Sequence, residues 1–486
     1  MKVLHIGWGF IPWRGGGLIE YVEDLTRAQA SFGYEVAYFF SGRHYPLIRR
    51  PHLKRWSRNG VRMYELINGT VLHAGNLGTR NPEQDLGEQT SERTFKDVLD
   101  EWQPDLIHIQ ELAGLPSSLI EIAKSRGFPV VMTLHDYFLL CPTLKLFDYK
   151  GEICLTKEVG GKCPLCCAKA PADRSPLILT TLRYEAERHL KLGPRSMKWV
   201  TKVRNLARRE RRSVNLGDTD CAVPSGALPL ASAEEAFQRR RNVNIGRLNM
   251  VDLLIGQSER VTDIYRMLGV QPERTRTIHS TVEHLCNIRP VLLANGRQTI
   301  SFGTMNGCAG VTKGAELILG ALHKLQEWGL DTKFRLIIMG YINPDLRREF
   351  LRFRNVIDCG LYDRNELNRL LEQVDVGLVP SIWEEAYGYV GVEFLAKGIP
   401  VIGNRMGGIV DYVVPGETGW LNEDNSADGL ANVMASLIRD PEKVVAMNRN
   451  IVANHDRIIK SMDAHVAEMD AIYKHVLSVA KPSAGK

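Results

Sequence analysis

The sequence has no long apolar run. None approaches the ~18 residues that a membrane span needs, so any membrane contact is expected to be peripheral. The opening MKVLHIGWGFIP has one lysine and then a strand-like run broken by Gly7, Gly9 and Pro12. It lacks an apolar core followed by a small-residue cleavage site, so no secretory signal is expected. Nine cysteines are an odd number in a long chain without such a signal. They read as reduced thiols of a cytoplasmic protein rather than a disulfide frame. Short repeats are missing, and only the final PSAGK has the composition of a disordered tail. The glycine-rich loop near the start lacks the G-x-G-x-x-G frame, and no acidic residue ends EVAYFF, which argues against a nicotinamide dehydrogenase. Net charge is only +6, but it is unevenly spread: residues 168–242 carry sixteen Lys/Arg against eight Asp/Glu.

With 486 residues, 44% hydrophobic and 24% charged, the chain is of ordinary globular composition and long enough for two or three domains. Residues 2–7, KVLHIG, read as a strand, GFIPWRGGGL as a loop, 19–32 as a helix and EVAYFF as a second strand. That order opens a doubly wound α/β domain. Further strands are expected at 71–74, 106–110, 130–134, 253–257 and 275–279, with helices at 94–102 and 116–126. Between His135 and Leu253 the alternation is lost, marking a large insertion. From Gln298 it resumes, with strands at TISFGT, FRLIIMG, NVIDCG, DVGLVP, PVIGN and GWLN. Helices are expected at 313–329, 365–374, 426–439 and over 441–480. Two Rossmann-like halves, joined near 288–295, predict a ligand cleft between them.

The stretch PSIWEEAYGYVGVEFLAKGIPVIGN sets two carboxylates, Glu385 and Glu393, across a turn led by Gly388. A strand, a glycine at the helix start and a helix bring such a loop to the carboxyl edge of a parallel sheet, where ligands bind. Free N–H groups and the helix dipole there favour an anion such as a diphosphate.

At these residues the chain resembles the retaining GT-B glycosyltransferases of family four (glycosyl transferases group 1). The carriers are RGGGLIEYVEDL, PDLIHIQE and TLHDYFLLC in the first half, and TKG, EAYGYVGVE and VVPGETGWL in the second. The resemblance implies an α/β GT-B fold: two Rossmann-like doubly wound domains facing a cleft, with a Cys-containing basic helical insertion in the first. It places an acceptor-side domain at 1–290 (insertion about 141–245) and a nucleotide-sugar-binding domain at 296–440. Helices over 441–486 would cross back to the first domain. It implies that Glu393 holds the ribose hydroxyls, that Glu385 faces the donor sugar, and that the backbone of Tyr387, Gly388 and Tyr389 meets sugar and diphosphate. Gly16 and Gly17 would close on the phosphates, His135 would touch the transferred sugar, and Lys313 would neutralise the leaving diphosphate. The implied reaction moves a sugar with retention from a UDP- or GDP-sugar to a glycan or lipid-linked acceptor in cell-surface polysaccharide synthesis. No divalent metal is implied for catalysis, and no DxD dyad stands in the expected place. Two departures stand out. The segment GTMNGCAGVTKG lacks the family's arginine, and the acid after GG is displaced to Asp411. Other readings of the same residues are a nucleotide-sugar epimerase or hydrolase, or a non-catalytic binder of sugar nucleotides.

Cys141, Cys154, Cys163 and Cys166 end in C-P-L-C, the spacing with which two thiolates share one ion, so a structural zinc is an open reading. The basic residues over 180–212, interleaved with Leu190, Met197, Trp199, Val200, Val203 and Leu206, suit either a solvated helix or contact with an anionic inner membrane face. No aromatic platform accompanies the charge, so nucleic acid is not an expected partner.

Overall fold

The structure is a computed structural model, and it describes residues 1–47, 50–73, 75–190 and 230–480. Its first sheet contains β1 (Lys2–Gly7), β2 (Glu35–Ser41), β3 (His52–Arg58), β4 (Val61–Ile67), β5 (Leu106–Ile109), β6 (Val130–Leu134), β7 (Leu253–Gly256) and β8 (Thr275–Thr277). Its second contains β9 (Ile300–Met305), β10 (Phe334–Met339), β11 (Val356–Gly360), β12 (Val376–Val379), β13 (Val401–Asn404) and β14 (Gly419–Asn422). The strand orders are β3-β4-β2-β1-β5-β6-β7-β8 and β11-β10-β9-β12-β13-β14. Every pair is parallel except β3 with β4. Strands such as β5, β6 and β12 are buried along their whole length, which is why they read as unbroken apolar runs.

The β3–β4 hairpin replaces the strand expected at 71–74, where 71–73 lie in a loop and Ala74 is outside the described residues. The hairpin had a local signature: Asn59 and Gly60 both take positive φ, 49° and 79°, as a two-residue turn of the primed type requires. Polar β3, HLKRWSR, is an edge strand with its flanks in water, so it carried no apolar run to detect.

The segment expected as one stretch over 441–480 is three helices, Glu442–Ala453, His455–Ile458 and Met462–Ala480. The last buries Met462, His465, Val466, Met469, Ile472, Tyr473 and Val476, one helical stripe, against the first domain. Tyr21 shares a 2.8 Å hydrogen bond with His465 Nε2. The Tyr473 hydroxyl meets His108 Nδ1 at 2.7 Å and accepts from Gln29 at 3.0 Å. Gln29 in turn accepts from His5 Nε2 at 2.7 Å. His5 and His108 each accept from the Gln110 amide through Nδ1, which requires neutral imidazoles there.

That network has a consequence for acid stability. Burial pushes His5 down to about 4, and it also lowers His108 and His465. Away from the network, burial lowers His44 to about 4. Each binds its proton more weakly folded than unfolded. Between the ordinary histidine range near 6.5 and about 4, the unfolded chain therefore takes up protons that the folded chain refuses. Stability falls with falling pH there, by about 1.4 kcal/mol per pH unit for each such histidine in mid-window. We expect the urea midpoint to drop steadily from pH 7 to pH 5, and a flat midpoint would contradict the neutral network.

The insertion is attached by arginines rather than by apolar packing alone. In the helix Leu230–Leu248, Arg240 is fully buried and donates to Asp85 at 2.8 Å and to the Phe138 carbonyl at 2.9 Å. Arg241 donates to the Leu140 carbonyl at 2.9 Å, and Arg247 to the Leu86 carbonyl at 2.6 Å and Glu121 at 2.9 Å. Part of the basic surplus is thus internal glue. The helix expected over 180–212 is seen as Ser175–Leu190, and its continuation lies outside the described residues.

Candidate active site

The carboxyl edges of both sheets face one cleft of about 720 Å³, within the range of small-molecule sites. From the second domain it is lined by Lys313, Glu385, Tyr387, Gly388, Tyr389 and Glu393, and from the first by Gly17 and His135. Gly16 is not among its lining residues. Gly16 has φ 123° and is the N-cap of the helix Gly17–Ser31, so it shapes the loop rather than the wall.

Backbone geometry explains the glycines that matter. Gly388 has φ 83° at the start of the helix Tyr389–Ala396, and an added Cβ would lie 3.2 Å from the Glu385 carboxyl carbon. At Gly17 a Cβ would come 2.8 Å from the Tyr389 ring, because the two domains touch there. Other links across the cleft are Ser280 to Tyr389 at 2.7 Å, His279 to Asp411 at 2.8 Å, and an ion pair between Glu20 and Arg364. Asp411 also accepts from the Glu259 backbone at 2.9 Å, so this displaced acid joins the domains instead of lining the cleft.

The charged groups are paired in advance. Lys313 Nζ donates to Glu385 Oε1 at 2.5 Å, and Ser381 donates to Oε2 at 2.7 Å. Burial alone would push Glu385 up, but Lys313, Ser381 and Lys145 outweigh it and hold the carboxylate below its usual range. His284 Nε2 donates to Glu393 Oε1 at 2.6 Å, fixing the orientation of that carboxylate. His135 Nε2 meets Gln110 Oε1 at 2.8 Å, and Gln257 donates to His135 Nδ1 at 2.7 Å. Burial, and next the nearby His465, push His135 down to about 3, so the ring is neutral, with its Nε2–H on Gln110 and its Nδ1 accepting from Gln257.

Sequence reasoning missed His284, Gln257 and Lys145, which stand in no motif. Lys145 comes from the insertion. Its Nζ lies 5.9 Å from the Trp383 ring centre, and Lys313 Nζ lies 5.6 Å from the same ring. Burial, then Lys313, lower Lys145, which marks two ammonium groups converging on one edge of the cleft.

The thiols are also near neighbours. Cys141, Cys154, Cys163 and Cys167 are buried, and burial pushes Cys166 up to about 11 and Cys167 up to about 12. Cys163 and Cys167 pack with Val159, Ala170 and Phe237. Among the described residues no three His, Cys, Asp or Glu side chains are grouped to hold a metal ion. Metal analysis of protein purified under reducing conditions decides the zinc reading, with less than about half an equivalent counting against it. A full equivalent would show that Cys141, Cys154, Cys163 and Cys166 close around an ion.

Comparison with known proteins bears on this cleft. The family profile described as Glycosyl transferase 4-like domain matches residues 16–281, more than half of the chain, and the profile described as Glycosyl transferases group 1 matches residues 305–453. The chain belongs to the group 1 glycosyltransferases. The D-inositol 3-phosphate glycosyltransferase of Corynebacterium aurimucosum is 28% identical to this family member over 179 residues, 35% of the chain and 42% of that relative. WcaL of Salmonella typhimurium, assigned to colanic acid biosynthesis, is 30% identical over 135 residues, 26% of the chain and 33% of that relative. Both matches thus span less than half of the relative. Among solved structures, HepE of Anabaena in complex with UDP and glucose superposes with a TM-score of 0.57 at 12% identity, covering 98% of this chain and 99% of that one. At that identity the likeness shows the fold, the GT-B arrangement of two Rossmann-like domains. No described helix is long and apolar enough to cross a membrane.

Proposed function

We propose that this group 1 family member is a retaining glycosyltransferase that moves a sugar from a UDP- or GDP-sugar to a glycan or lipid-linked acceptor of cell-surface polysaccharide synthesis. The observation that carries the reading is the convergence of Glu385, Lys313, Glu393, His135 and Gly17 on one interdomain cleft. The solved relative with UDP and the polysaccharide assignment of WcaL support the donor and acceptor classes.

In this reading Glu393, held by His284, accepts from two ribose hydroxyls. The diphosphate lies at the amides behind Gly388, with Lys313 and Lys145 supplying the positive charge that the missing arginine leaves out. The bond from the anomeric carbon to the diphosphate breaks, and the diphosphate leaves with the bonding pair. An acceptor oxygen forms the new bond on the same face, and its proton passes to a phosphate oxygen of the donor. The protein then needs no nucleophile. Its work is to stabilise the developing charge on the leaving group, with Glu385 and neutral His135 orienting the sugar.

Incubation with a panel of nucleotide sugars, with and without acceptor extracts, tests this. Nucleotide diphosphate release that depends on acceptor is the expected result. Release without acceptor would indicate a hydrolase, and binding without turnover of any donor would indicate a non-catalytic binder.

A further inference from the structure

Several arginines of the first domain pair with carboxylates, and buried Arg241 donates to carbonyls instead. Arg43 pairs with Glu65 at 2.7 Å, Arg58 with Glu23 at 2.6 Å and Arg240 with Asp85 at 2.8 Å. Arg14 has no carboxylate partner among the described residues. Its guanidinium instead lies 4.4 Å from the ring centres of both Trp8 and Trp13. Its Nε is shielded from solvent and bonded to nothing. The same is true of Trp8 Nε1, Trp13 Nε1 and His44 Nδ1. Trp13 is 5% exposed and His44 1%. Buried nitrogens without partners are uncommon in folded proteins, and the N–H groups of Arg14 Nε and the two indoles beside it call for an acceptor of hydrogen bonds.

Their place in the fold says where that acceptor would come from. Trp8 follows β1 and His44 follows β2, so both stand at the carboxyl edge of the first sheet, the edge that faces the cleft. Ile11, on the same loop, lines the cleft, as does Gly17. The charge of Arg14 is felt at His44 and His73, so the donors share one neighbourhood. Burial without a counter-ion lowers Arg14 to about 10. Cation–π contact with two indole rings anchors the guanidinium.

We propose that Arg14, clamped by Trp8 and Trp13, is a subsite for an anionic group, phosphate or carboxylate, on the acceptor. The inference rests on the transferase reading of the cleft and adds the chemical class of the second substrate. Planar, bidentate recognition of either anion suits arginine and not lysine.

The test is calorimetric titration of the UDP-saturated protein with glucose 6-phosphate, glucuronate and glucose. One of the two anionic sugars is expected to bind and glucose to be at least tenfold weaker, with the tighter anion naming the source. Arg14→Gln should lose that binding by tenfold or more, and Arg14→Lys should recover only part of it. UDP affinity, measured in the same preparations, should stay within twofold, which shows that the variants are folded and tests the donor site separately. Three results would overturn the proposal: no preference for anionic sugars in the native protein, undiminished binding by Arg14→Gln, or a large loss of UDP affinity in that variant. The last would assign Arg14 to the donor diphosphate. If UDP does not bind, the titration is run with GDP in its place, and failure of both nucleotides to bind the native protein would instead sink the transferase reading.

Discussion

Glu393→Ala is expected to weaken UDP and GDP binding by about a hundredfold. A carboxylate that accepts from two ribose hydroxyls makes two charge-assisted bonds, each contributing roughly 1.5–3 kcal/mol. Losing both, with some water replacing them, comes to about two factors of ten. The variant should stay folded, since Glu393 lies on the cleft wall and its described hydrogen-bond partner is His284. His284→Ala should weaken the same nucleotides by a smaller factor, about tenfold. Its ring only orients the carboxylate, and its Nδ1 makes no bond of its own. Equilibrium binding of the free nucleotides checks both variants. Unchanged affinity in Glu393→Ala would remove the ribose assignment.

The second large effect concerns the leaving group. Lys313→Ala should lower kcat by about 10²–10³ while changing the donor KM much less, because charge grows on the diphosphate as its bond breaks. The pairing of Lys313 with Glu385 sharpens this. When the diphosphate arrives, Lys313 must turn from the carboxylate to the phosphate, and Glu385 keeps Ser381 as its partner. Lys313→Arg retains the charge and should recover part of the rate. Lys145→Ala should lower kcat by about tenfold, as expected of a second ammonium that supplements the first. Steady-state kinetics with the donor identified from the panel decides this. A Lys313→Ala variant within threefold of native kcat would show that Lys313 does not carry the charge of the leaving diphosphate.

Much of the architecture was legible because parallel strands buried on both faces leave apolar runs, and because glycines mark strand-to-helix turns. DVGLVP and PVIGN are of this kind, and Gly388 and Gly398 do take positive φ. The β3–β4 hairpin was lost because an edge strand half in water has no such run, although Asn59–Gly60 announced the turn. Long-range pairings were not legible at all. Nothing local to His284 points to Glu393, 109 positions later, or local to Asp411 points to His279. Lys145 sits in an insertion without periodicity, and only the fold brings it to Trp383. Composition shows that Arg240, Arg241 and Arg247 are basic but not what they bind. Their partners, Asp85 and the carbonyls of Phe138, Leu140 and Leu86, lie at the ends of other segments.

Same-face transfer within the cleft is reported directly by the anomeric configuration of the product. Proton NMR of the isolated glycoside, made from an α-linked nucleotide sugar, should show the new linkage in the α configuration from the first detectable turnover. A β-linked product would contradict retention, and free sugar as the sole product would contradict transfer itself.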